Sequence, residues 1–335
     1  MNPRVVVLIT NFNGKHLLEE CLRSVFAQSY DAYDVVVVEN ASSDGSAEYI
    51  ATHFPQAHLV RCEKNYGFSG GNNRGMEYIR SHLFCDFVLL LNNDTRVDGH
   101  WIEELVRCAE RHEDAALIGS KVMLMDTDQQ LHSTGIVLYS DLTTTNRGMY
   151  TKDEGQYDVE EEIFGPIGCS VLVRMSALPA DEELFEECYF AYREDDELSW
   201  RMRVYGYVNY YCPTSIIWHK HSATNRPFSR FKLFYTERNR IFNSLLYLPF
   251  WYLPLSLLAT LNRYMRHKKN TKIVNALSAQ QMTTSEVLWI LCTAYFGVLP
   301  YGLYMLKRRR QIWKRAKISS FAILDILKKY GTREI

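Results

Sequence analysis

Short, mostly apolar runs alternate with helical patterns over the first 115 residues of the chain. The apolar runs of strand length lie at residues 4–10, 33–38, 59–62 and 87–91. Helices are predicted between and after these runs, over residues 15–28, about 46–53 and about 72–82. Strands that are apolar on both faces and alternate with helices are typical of a parallel sheet covered by helices. We therefore predict an α/β fold with a mostly parallel sheet.

Polar residues cluster where each of these strands ends. The four clusters occupy residues 10–13, 39–40, 65–67 and 92–94. The carboxyl ends of parallel strands meet at one edge of a sheet, and ligands of such sheets bind there. We therefore predict that the four clusters border one ligand site.

Beyond residue 115 the pattern changes twice. Residues 115–220 contain hairpin-like pieces such as LIGSKVML, GIVLY and GCSVLVR. Two long uncharged runs then follow, at residues 241–261 and 287–306. We predict a domain of residues 1–240 and a helical region after it. The predicted segments are the two halves of the domain, 1–114 and 115–240, and the helical region, 241–335.

Charge is distributed unevenly along the chain. Residues 1–261 hold 23 basic and 36 acidic residues, whereas residues 262–335 hold 15 basic and 3 acidic residues. The body thus carries a net charge of about −13 and the tail about +12. A basic tail suits an anionic surface such as phospholipid headgroups, and the acidic body argues against nucleic acid as a partner.

The eight cysteines are scattered through the 335 residues and form no C-x-x-C pair. This pattern predicts reduced cysteines instead of disulfides or a zinc site. The chain starts Met-Asn-Pro-Arg and enters the first predicted strand at once. We therefore expect no signal peptide and a body that faces the cytoplasm.

Five pieces of the sequence together resemble a known family. They are TNFNGKHLLEECLRSVFAQSY, VVVVENASSDGS, NYGFSGGNNRG, LLLNNDT and YREDDELSWRMRVYGY. In this order they are similar to the successive motifs of glycosyltransferase family 2, and most of all to its rhamnosyltransferase-type branch, which builds bacterial surface polysaccharides. The resemblance covers about residues 4–245. It implies the GT-A fold, a Rossmann-like sheet that binds nucleotide-diphospho-sugars, with the acceptor bound by the half at 115–240.

The resemblance also implies a set of nucleotide-sugar contacts. Glu39 stands where the family usually has an Asp that reads the pyrimidine ring, and a carboxylate suits the imide N–H because it only accepts hydrogen bonds. Asn13 has an alternative role as a cap of the helix at 15–28. The implied contacts are Thr10, Asn11, Asn13, Glu39, Asn40, Asn65, Gly71, Asn72, Arg74, Asn92 and Asn93.

A divalent cation is expected at the end of the fourth strand. The departing nucleotide diphosphate carries several negative charges, and oxygen ligands favour Mg²⁺ or Mn²⁺. The resemblance implies that Asp94 binds this metal as the last Asp of the D-x-D motif, while Asn92 replaces the first Asp. It places His219 near the metal or the diphosphate, with His221 as second choice. The alternatives are a strand-ending turn at Asp94 and a structural histidine.

An acidic cluster at residues 194–197 opens a predicted helix. The resemblance implies that Glu194 and Asp195 supply the general base, and we assign Asp195 to that role. Ordinary helix electrostatics also explain acidic residues in a first turn. The loop at residues 165–169 resembles the lining of the acceptor pocket, and Arg238 is a further candidate phosphate contact.

The two uncharged runs raise the question of membrane attachment. The run at 287–306 is long enough to span a bilayer. If both runs spanned, the loop between them would be external and would carry Arg263, Arg266, Lys268, Lys269 and Lys272, against the positive-inside tendency. We therefore favour interfacial or re-entrant helices over true spans or a soluble helical core.

These inferences combine into one expected activity. The chain would be an inverting, metal-dependent glycosyltransferase that moves a sugar, with rhamnose as a candidate, from a dTDP- or UDP-sugar to a lipid-linked or growing glycan at the cytoplasmic membrane face. The alternatives are a processive polysaccharide synthase, for which the Q-x-x-R-W motif is missing from the sequence, and an inactive sugar-nucleotide-binding scaffold.

Overall fold

A computed structural model describes residues 2–220, 229–267 and 283–332 of the chain. The described chain divides into two compact units. The first unit contains Met1–Ile136, Asn146–Arg203 and Tyr207–Ala223. The second unit contains Val137–Thr145, Val204–Gly206 and Thr224–Ile335.

The described residues contain twelve strands, of which ten belong to the main sheet of the first unit and two pair with each other separately. In chain order they are β1 (Val5–Asn11), β2 (Tyr33–Glu39), β3 (His58–Arg61), β4 (Phe87–Asn92), β5 (Thr95–Val97), β6 (Ala115–Leu124), β7 (Leu131–Ser133), β8 (Ile136–Leu138), β9 (Thr144–Asn146), β10 (Glu161–Ile163), β11 (Ser170–Arg174) and β12 (Val208–His219).

Ten α-helices lie in the described residues. They are α1 (Lys15–Val25), α2 (Ser46–His53), α3 (Gly67–His82), α4 (Trp101–Arg111), α5 (Glu194–Val204), α6 (Arg230–Tyr247), α7 (Leu253–His267), α8 (Thr284–Phe296), α9 (Gly302–Lys314) and α10 (Ala322–Tyr330).

The main sheet has the order β10-β12-β6-β11-β4-β1-β2-β3. The four strands predicted from apolar runs, β1 to β4, lie side by side and pair in parallel. Strand β11 is antiparallel to both of its neighbours, β4 and β6. The predicted mostly parallel α/β sheet is therefore confirmed. The runs at β1, β2 and β4 are largely buried, whereas β3, at the edge of the sheet, is only partly buried.

Two short strands bring distant segments to the end of β4. Strand β5 pairs antiparallel with the end of β12, so that Thr95 lies opposite His219. Strand β7 pairs with the end of β6, on the other side from β12. The end of β12 and all of β7 thus lie beside the turn that follows β4, and this pairing positions the site.

Helix α3 begins five residues earlier than predicted. The expected start was about Asn72, but the helix runs from Gly67 because its glycines allow close approach to the sheet. A Cβ at Gly71 would lie 2.6 Å from Thr10 Cγ2, and one at Gly75 would lie 2.3 Å from Leu8 Cδ1. A glycine costs about 1 kcal/mol in a helix, and here the close packing offsets that cost.

The second unit contains most of the β8–β9 strand pair, and the rest of its described residues are largely helical. Helix α6 passes through residue 240, where we placed the domain boundary, without interruption. It packs against α8 and α9. The uncharged run at 241–261 is not one helix, because α6 ends at Tyr247 and a short 3₁₀ turn at Phe250–Tyr252, following Pro249, precedes α7.

One segment in the described residues, Ser285–Lys314, is long and apolar enough to cross a membrane, and only 17% of its apolar part is buried. It includes α8, a 3₁₀ turn at Leu299–Tyr301 and α9.

Candidate active site at the carboxyl edge of the sheet

Glu39, the last residue of β2, is buried and already holds three protein donors. Its Oε1 accepts from the Ser42 backbone N–H at 2.9 Å. Its Oε2 accepts from Asn11 Nδ2 and from Ser46 Oγ, each at 2.8 Å. The carboxylate therefore fixes the loop between β2 and α2, and its predicted contact with a pyrimidine stays a prediction.

Asn40 ties the end of β2 to the loop before α3. Its Nδ2 donates to Gly67 O at 2.9 Å and to Asn65 Oδ1 at 3.1 Å, and its Oδ1 accepts from the Tyr66 N–H at 3.0 Å. Asn65 Oδ1 also accepts from the Gly67 N–H at 2.8 Å. The two predicted contact residues thus form one network that holds this loop against the sheet.

The turns after β1 and β4 contact each other through amides. Asn93 Nδ2 donates to Asn11 Oδ1 at 2.7 Å. Gly14 is needed beside this bond, since a Cβ there would lie 2.2 Å from Asn93 Nδ2. Asn13 does not cap α1, because its Oδ1 accepts from the Ser43 N–H at 2.9 Å and the residue before the helix is Gly14.

Two residues predicted to contact the nucleotide lie inside α3. Asn72 Nδ2 donates to Phe68 O at 2.8 Å. The Arg74 guanidinium donates to Glu187 at 2.7 Å and stacks over the Tyr66 ring at 4.8 Å. Both side chains stabilise the helix and its neighbours in the structure, and their roles toward a nucleotide stay predictions.

Asp94 and His219 form a buried pair at the end of β4. His219 Nε2 lies 3.0 Å from Asp94 Oδ1, and the side chains come from segments 125 residues apart. The Lys220 backbone N–H donates to Asp94 O at 2.9 Å, which continues the pairing of β5 with β12. His221 lies outside the described residues. The structure therefore brings together the two residues predicted to hold a metal.

A second histidine adjoins this pair. His132 Nδ1, on β7, lies 3.0 Å from His219 Nδ1, and both rings are buried. The Sγ of Cys169 lies within 4.8 Å of ligand atoms of both histidines. Burial raises the pKa of the Cys169 thiol well above its ordinary value, and the charges of Asp94 and Asp195 raise it further. This thiol therefore stays protonated at neutral pH and is not a nucleophile.

Asp195, at the N-terminus of α5, is aimed by two backbone donors. The Gly168 N–H donates to Asp195 Oδ2 and the Asp196 N–H to Asp195 Oδ1, each at 2.9 Å. Burial raises the pKa of Asp195 above the ordinary value of an aspartate, although these two N–H groups act in the opposite direction. A fixed carboxylate with a raised pKa suits a general base.

Glu194 is a buried carboxyl group with one oxygen unsatisfied in the described part of the chain. It is 7% exposed, and its Oε2 has no hydrogen-bond partner among the described residues. Burial and then the charge of Asp195 raise the pKa of Glu194 well above its ordinary value. A buried, protonated Glu194 beside an ionised Asp195 avoids two adjacent buried negative charges.

The segment before α5 has an unusual backbone. Phe190, Tyr192 and Arg193 have φ values of 62°, 69° and 72°, in the left-handed region that side chains rarely adopt. The carbonyl of Phe190 accepts from the Phe68 and Ser69 N–H groups at the start of α3. Such strain is typical of functional segments that the surrounding structure holds in place.

The other acidic residues of α5 form ion pairs within the first unit. Asp196 pairs with Arg193 at 3.0 Å, and Glu197 pairs with Arg201 at 3.1 Å. All four side chains are mostly buried, and Glu197 and Arg201 are entirely so. The acidic cluster at 194–197 therefore splits, with two residues facing the site and two holding the helix in its fold. Arg238, the further candidate phosphate contact, belongs to the second unit.

The donor atoms at the end of β4 suit a hard divalent cation. The Asp94 carboxylate and the His219 ring offer oxygen and nitrogen ligands. Asn92 Oδ1, two residues before Asp94, is buried and has no hydrogen-bond partner among the described residues. An unsatisfied buried oxygen beside a carboxylate fits a site that a cation completes, and Mg²⁺ and Mn²⁺ accept such ligands.

Sequence reasoning missed His132, and it named the loop at 165–169 without predicting that the Gly168 N–H bonds Asp195. His132 lies in LHSTG, without a charged or glycine-rich motif, and Gly168 acts through its backbone. A histidine next to a short predicted strand was the only signal available. It did not indicate that this strand would pair with the end of β6 and so lie near β12.

The fold and this edge define a glycosyltransferase of the GT-A class, with paired parallel strands, an Asp-bearing turn after β4 and a carboxylate at the start of α5. The family model for glycosyl transferase family 2 matches residues 6–179, more than half of the chain. The chain therefore belongs to glycosyltransferase family 2 and is an enzyme of glycan biosynthesis, as predicted.

Two individual relatives are similar to this chain at low sequence identity. An N-acetylglucosaminyl-diphospho-decaprenol L-rhamnosyltransferase of Mycobacterium tuberculosis is 24% identical over 66% of this chain and 77% of its own length. A low-salt glycan biosynthesis hexosyltransferase of Haloferax volcanii is 29% identical over 30% of each chain. These matches confirm the predicted likeness to rhamnosyltransferases.

Among solved structures, one of GalNAc-T7 with UDP, GalNAc and Mn²⁺ is similar with a TM-score of 0.58 and 13% identity. The match covers 75% of this chain and 49% of that chain, so this chain spans about half of that protein. A likeness at this identity shows the fold alone, and it confirms the GT-A architecture.

Proposed function

We propose that this glycosyltransferase transfers a sugar, with rhamnose as the leading candidate, from a pyrimidine nucleotide sugar to a lipid-linked glycan, with inversion at the anomeric carbon. The observation that carries the proposal is that one loop joins the segments of Asp94 and Asp195: the Gly168 N–H donates to Asp195 Oδ2 at 2.9 Å, and Cys169 O accepts from the Asn92 N–H, two residues before Asp94, at 3.1 Å. One carboxylate suits the leaving diphosphate, and the other suits the attacking hydroxyl.

Asp195 is the proposed general base. The acceptor hydroxyl gives its proton to the Asp195 carboxylate while its oxygen forms a bond to the anomeric carbon. The bond from that carbon to the diphosphate oxygen breaks, and its electron pair leaves with the nucleoside diphosphate. The two N–H donors keep the carboxylate oriented, and its raised pKa strengthens it as a base.

Asp94 and His219 are the proposed protein ligands of a divalent cation, with Asn92 nearby. A bound Mg²⁺ or Mn²⁺ supplies positive charge that stabilises the departing diphosphate. The chain itself contributes a rigid turn, held by the pairing of β5 with β12 and by the bond from the Lys220 N–H to Asp94 O.

The proposed donor site lies along the ends of β1, β2 and β4. Its polar side chains are Thr10, Asn11, Asn13, Glu39, Asn40, Asn65, Asn92 and Asn93. Thr10 Oγ1 and Asn92 Oδ1 are buried and have no hydrogen-bond partner among the described residues, so each can still accept a hydrogen bond or bind a ligand. The relative from Mycobacterium tuberculosis is named for an acceptor on decaprenol diphosphate, which supports a polyprenyl-linked acceptor here.

Thermal denaturation with nucleotide sugars tests the donor and the cation together. We expect a dTDP- or UDP-sugar to raise the melting temperature more with Mn²⁺ or Mg²⁺ than without, because a ligand that binds only the folded state stabilises it. In Asp94→Ala the metal-dependent part of the shift should disappear. Asp128→Ala, which changes an exposed carboxylate in the same unit, should behave as the wild type.

Two outcomes would contradict this assignment. Equal shifts with and without metal in the wild type would remove the cation from the proposal. Absence of a shift with every pyrimidine nucleotide sugar would remove the donor class.

We also propose that the second unit attaches the enzyme to the cytoplasmic face of a membrane as an interfacial element. Large apolar side chains are exposed along α7, α8, α9 and the two 3₁₀ turns at Phe250–Tyr252 and Leu299–Tyr301, where soluble proteins seldom expose so many together. They include Trp251, Leu255, Leu258, Trp289, Phe296, Leu299 and Leu303. Exposed cationic residues, Lys307 and Arg310, follow on α9 and suit anionic headgroups.

Co-sedimentation of the full chain with liposomes tests this attachment. We expect binding to vesicles that contain anionic lipid, and weaker binding after the joint substitution Trp251→Ser and Trp289→Ser. The matched control is Phe84→Ser, since Phe84 is exposed in the first unit. Equal sedimentation of the double variant and the wild type would place the attachment elsewhere.

A further inference from the structure

A buried histidine pair lies at the predicted cation site. His132 and His219 come from β7 and β12, which flank the end of β6, and their Nδ1 atoms are 3.0 Å apart. Both residues are less than 8% exposed. The proposed transfer chemistry assigns a role to His219 and none to His132.

The hydrogen-bond geometry fixes where the ring protons lie. Two imidazole nitrogens at this distance require one to donate and the other to accept. His219 Nε2 faces the Asp94 carboxylate, which only accepts, so Nε2 of His219 carries a proton. In a neutral ring His219 Nδ1 is then bare, and it accepts the proton of His132 Nδ1. The three residues thus form a chain from His132 through His219 to Asp94.

We propose that His132 is a positioning residue of the Asp94–His219 cation site: its Nδ1 holds the His219 ring by a hydrogen bond to Nδ1, whichever of the two His219 nitrogens carries the proton. The proposal rests on the function proposed above, in which His219 is a ligand. A ligand nitrogen must be bare, so the proton on the His219 ring must then lie on Nδ1. His132 Nδ1 becomes the acceptor of that proton.

An imidazole at position 132 supports both arrangements. Its Nδ1 donates while His219 bonds Asp94, and it accepts when His219 Nε2 is used as a ligand. The proton count of the two rings is the same in both arrangements, because His132 carries its proton on Nε2 in the second. A side chain without a polar atom near the Nδ1 position supports neither arrangement and leaves the His219 ring without its orienting bond.

Cys169 is the third member of this cluster, but it does not account for the geometry. The bond from His219 Nε2 to Asp94 Oδ1 pairs the His219 ring with a carboxylate oxygen, so the proposed ligand set consists of oxygen and nitrogen atoms. The His132–His219 bond therefore serves a hard or borderline cation such as Mn²⁺, not a soft thiolate site.

Calorimetric titration of the full-length protein with Mn²⁺, in the presence of saturating UDP, tests this role. Two amide substitutions form a matched pair. His132→Asn places an amide near the position of Nδ1 and can donate or accept there, whereas His132→Gln places its amide near the position of Nε2. We expect His132→Asn to keep the Mn²⁺ dissociation constant within about 3-fold, and His132→Gln to raise it about 10- to 100-fold.

Three controls separate the possible outcomes. His219→Ala should weaken Mn²⁺ binding at least as much as His132→Gln. His58→Gln, at a partly buried histidine bonded to Tyr78, should leave Mn²⁺ binding unchanged. Thermal denaturation of every variant without metal identifies a variant that has lost its fold, and His219→Gln replaces His219→Ala if the alanine variant does not fold.

The role of His132 is overturned if His132→Gln binds Mn²⁺ as the wild type does while His219→Ala binds it weakly. It is also overturned if His132→Asn and His132→Gln lose affinity equally, since the position of the amide would then not matter. Failure of the proposed cation site looks different, because neither the wild type nor His219→Ala would bind Mn²⁺.

Discussion

The proposed donor edge, at the end of β2, and the proposed catalytic edge, at the end of β4 and the start of α5, differ in how fully their buried polar groups are hydrogen-bonded. At the donor edge, around Glu39 and Asn40, buried polar groups satisfy one another through at least six hydrogen bonds. At the start of α5, in contrast, the buried Oε2 of Glu194 lacks a partner in the described residues, and so do Asn92 Oδ1 and Thr10 Oγ1 at the ends of β4 and β1. The backbone just before α5 is also strained.

This difference indicates that the donor edge has mainly a structural role and that the catalytic edge is the one proposed to take part in the reaction. Fully satisfied buried networks make a structure rigid and specific. Unsatisfied oxygens, raised pKa values and strained backbone lower stability, and they persist where a ligand or a reaction uses them. Substitutions at the donor edge should therefore reduce stability, whereas substitutions at the catalytic edge should reduce turnover and leave stability equal or higher.

The largest expected effect is that of Asp195→Asn on turnover. The amide keeps the shape of the side chain and one acceptor for a backbone N–H, but it cannot take a proton. We expect kcat to fall about 10²- to 10⁴-fold, as is typical on removal of a general base, while donor binding stays nearly constant. Steady-state kinetics and donor-induced thermal shifts measure the two quantities.

The control for this variant is Asp128→Asn, a change of an exposed carboxylate that we expect to leave kcat unaltered. Unchanged turnover in Asp195→Asn would remove Asp195 as the base. The pH profile of the wild type gives a second check, because the raised pKa of Asp195 should move the acidic limb of kcat above the ordinary range of an aspartate.

Glu194→Gln should change how stability depends on pH. The pKa of Glu194 is raised in the folded protein, so the protonated carboxyl favours folding fully below its unfolded pKa of about 4.3. That stabilisation is lost as the pH rises through the folded-state pKa, by at most about 1.4 kcal/mol per pH unit. The glutamine variant has no such loss, so it should become progressively more stable than the wild type from pH 5 to pH 8.

Urea unfolding at several pH values measures this difference. A constant difference between Glu194→Gln and the wild type across that range would show that burial does not hold the proton on Glu194. Glu63→Gln, at a side chain on the surface of the same unit, is the matched control and should show no pH-dependent difference.

Glu39→Gln has the smallest expected effect on the reaction and acts on stability. A glutamine amide must place its NH₂ group against at least one of the donors that Glu39 now accepts. Leaving one buried donor unsatisfied costs about 1–3 kcal/mol in the free energy of unfolding. Urea unfolding should show this loss while kcat at saturating donor changes by less than 10-fold, and a fall in kcat without a loss of stability would break the comparison between the two edges.

Much of the fold was predictable because its signals are local. The apolar runs of β1 to β4 and the polar residues that end them follow from the neighbouring sequence alone. The start of α3 was not predictable, because helix propensity argues against a helix in a segment rich in glycine. Only the position of Leu8, Thr10 and Val38 explains why glycine is needed there.

The residues of the candidate site could be named from the sequence, but their hydrogen bonds and ion pairs could not. Asp94 and Asp195 stood out by their motifs. Glu39 was expected to face a ligand, yet the structure gives its carboxylate three protein donors. Likewise, the acidic cluster of α5 looked uniform in sequence, and only packing separates Asp195 from Glu197, which is buried against Arg201.

The sequence by itself determined the class of fold, the family and the candidate carboxylates of the site, because buried strands and ordered motifs depend on residues close together in the chain. Tertiary structure alone decided that His219 meets Asp94, that His132 meets His219 and that the Gly168 N–H aims Asp195. These contacts join residues 27 to 125 positions apart. They depend on which strands pair and in what register, and the free energy of that pairing belongs to the whole sheet instead of to any one motif.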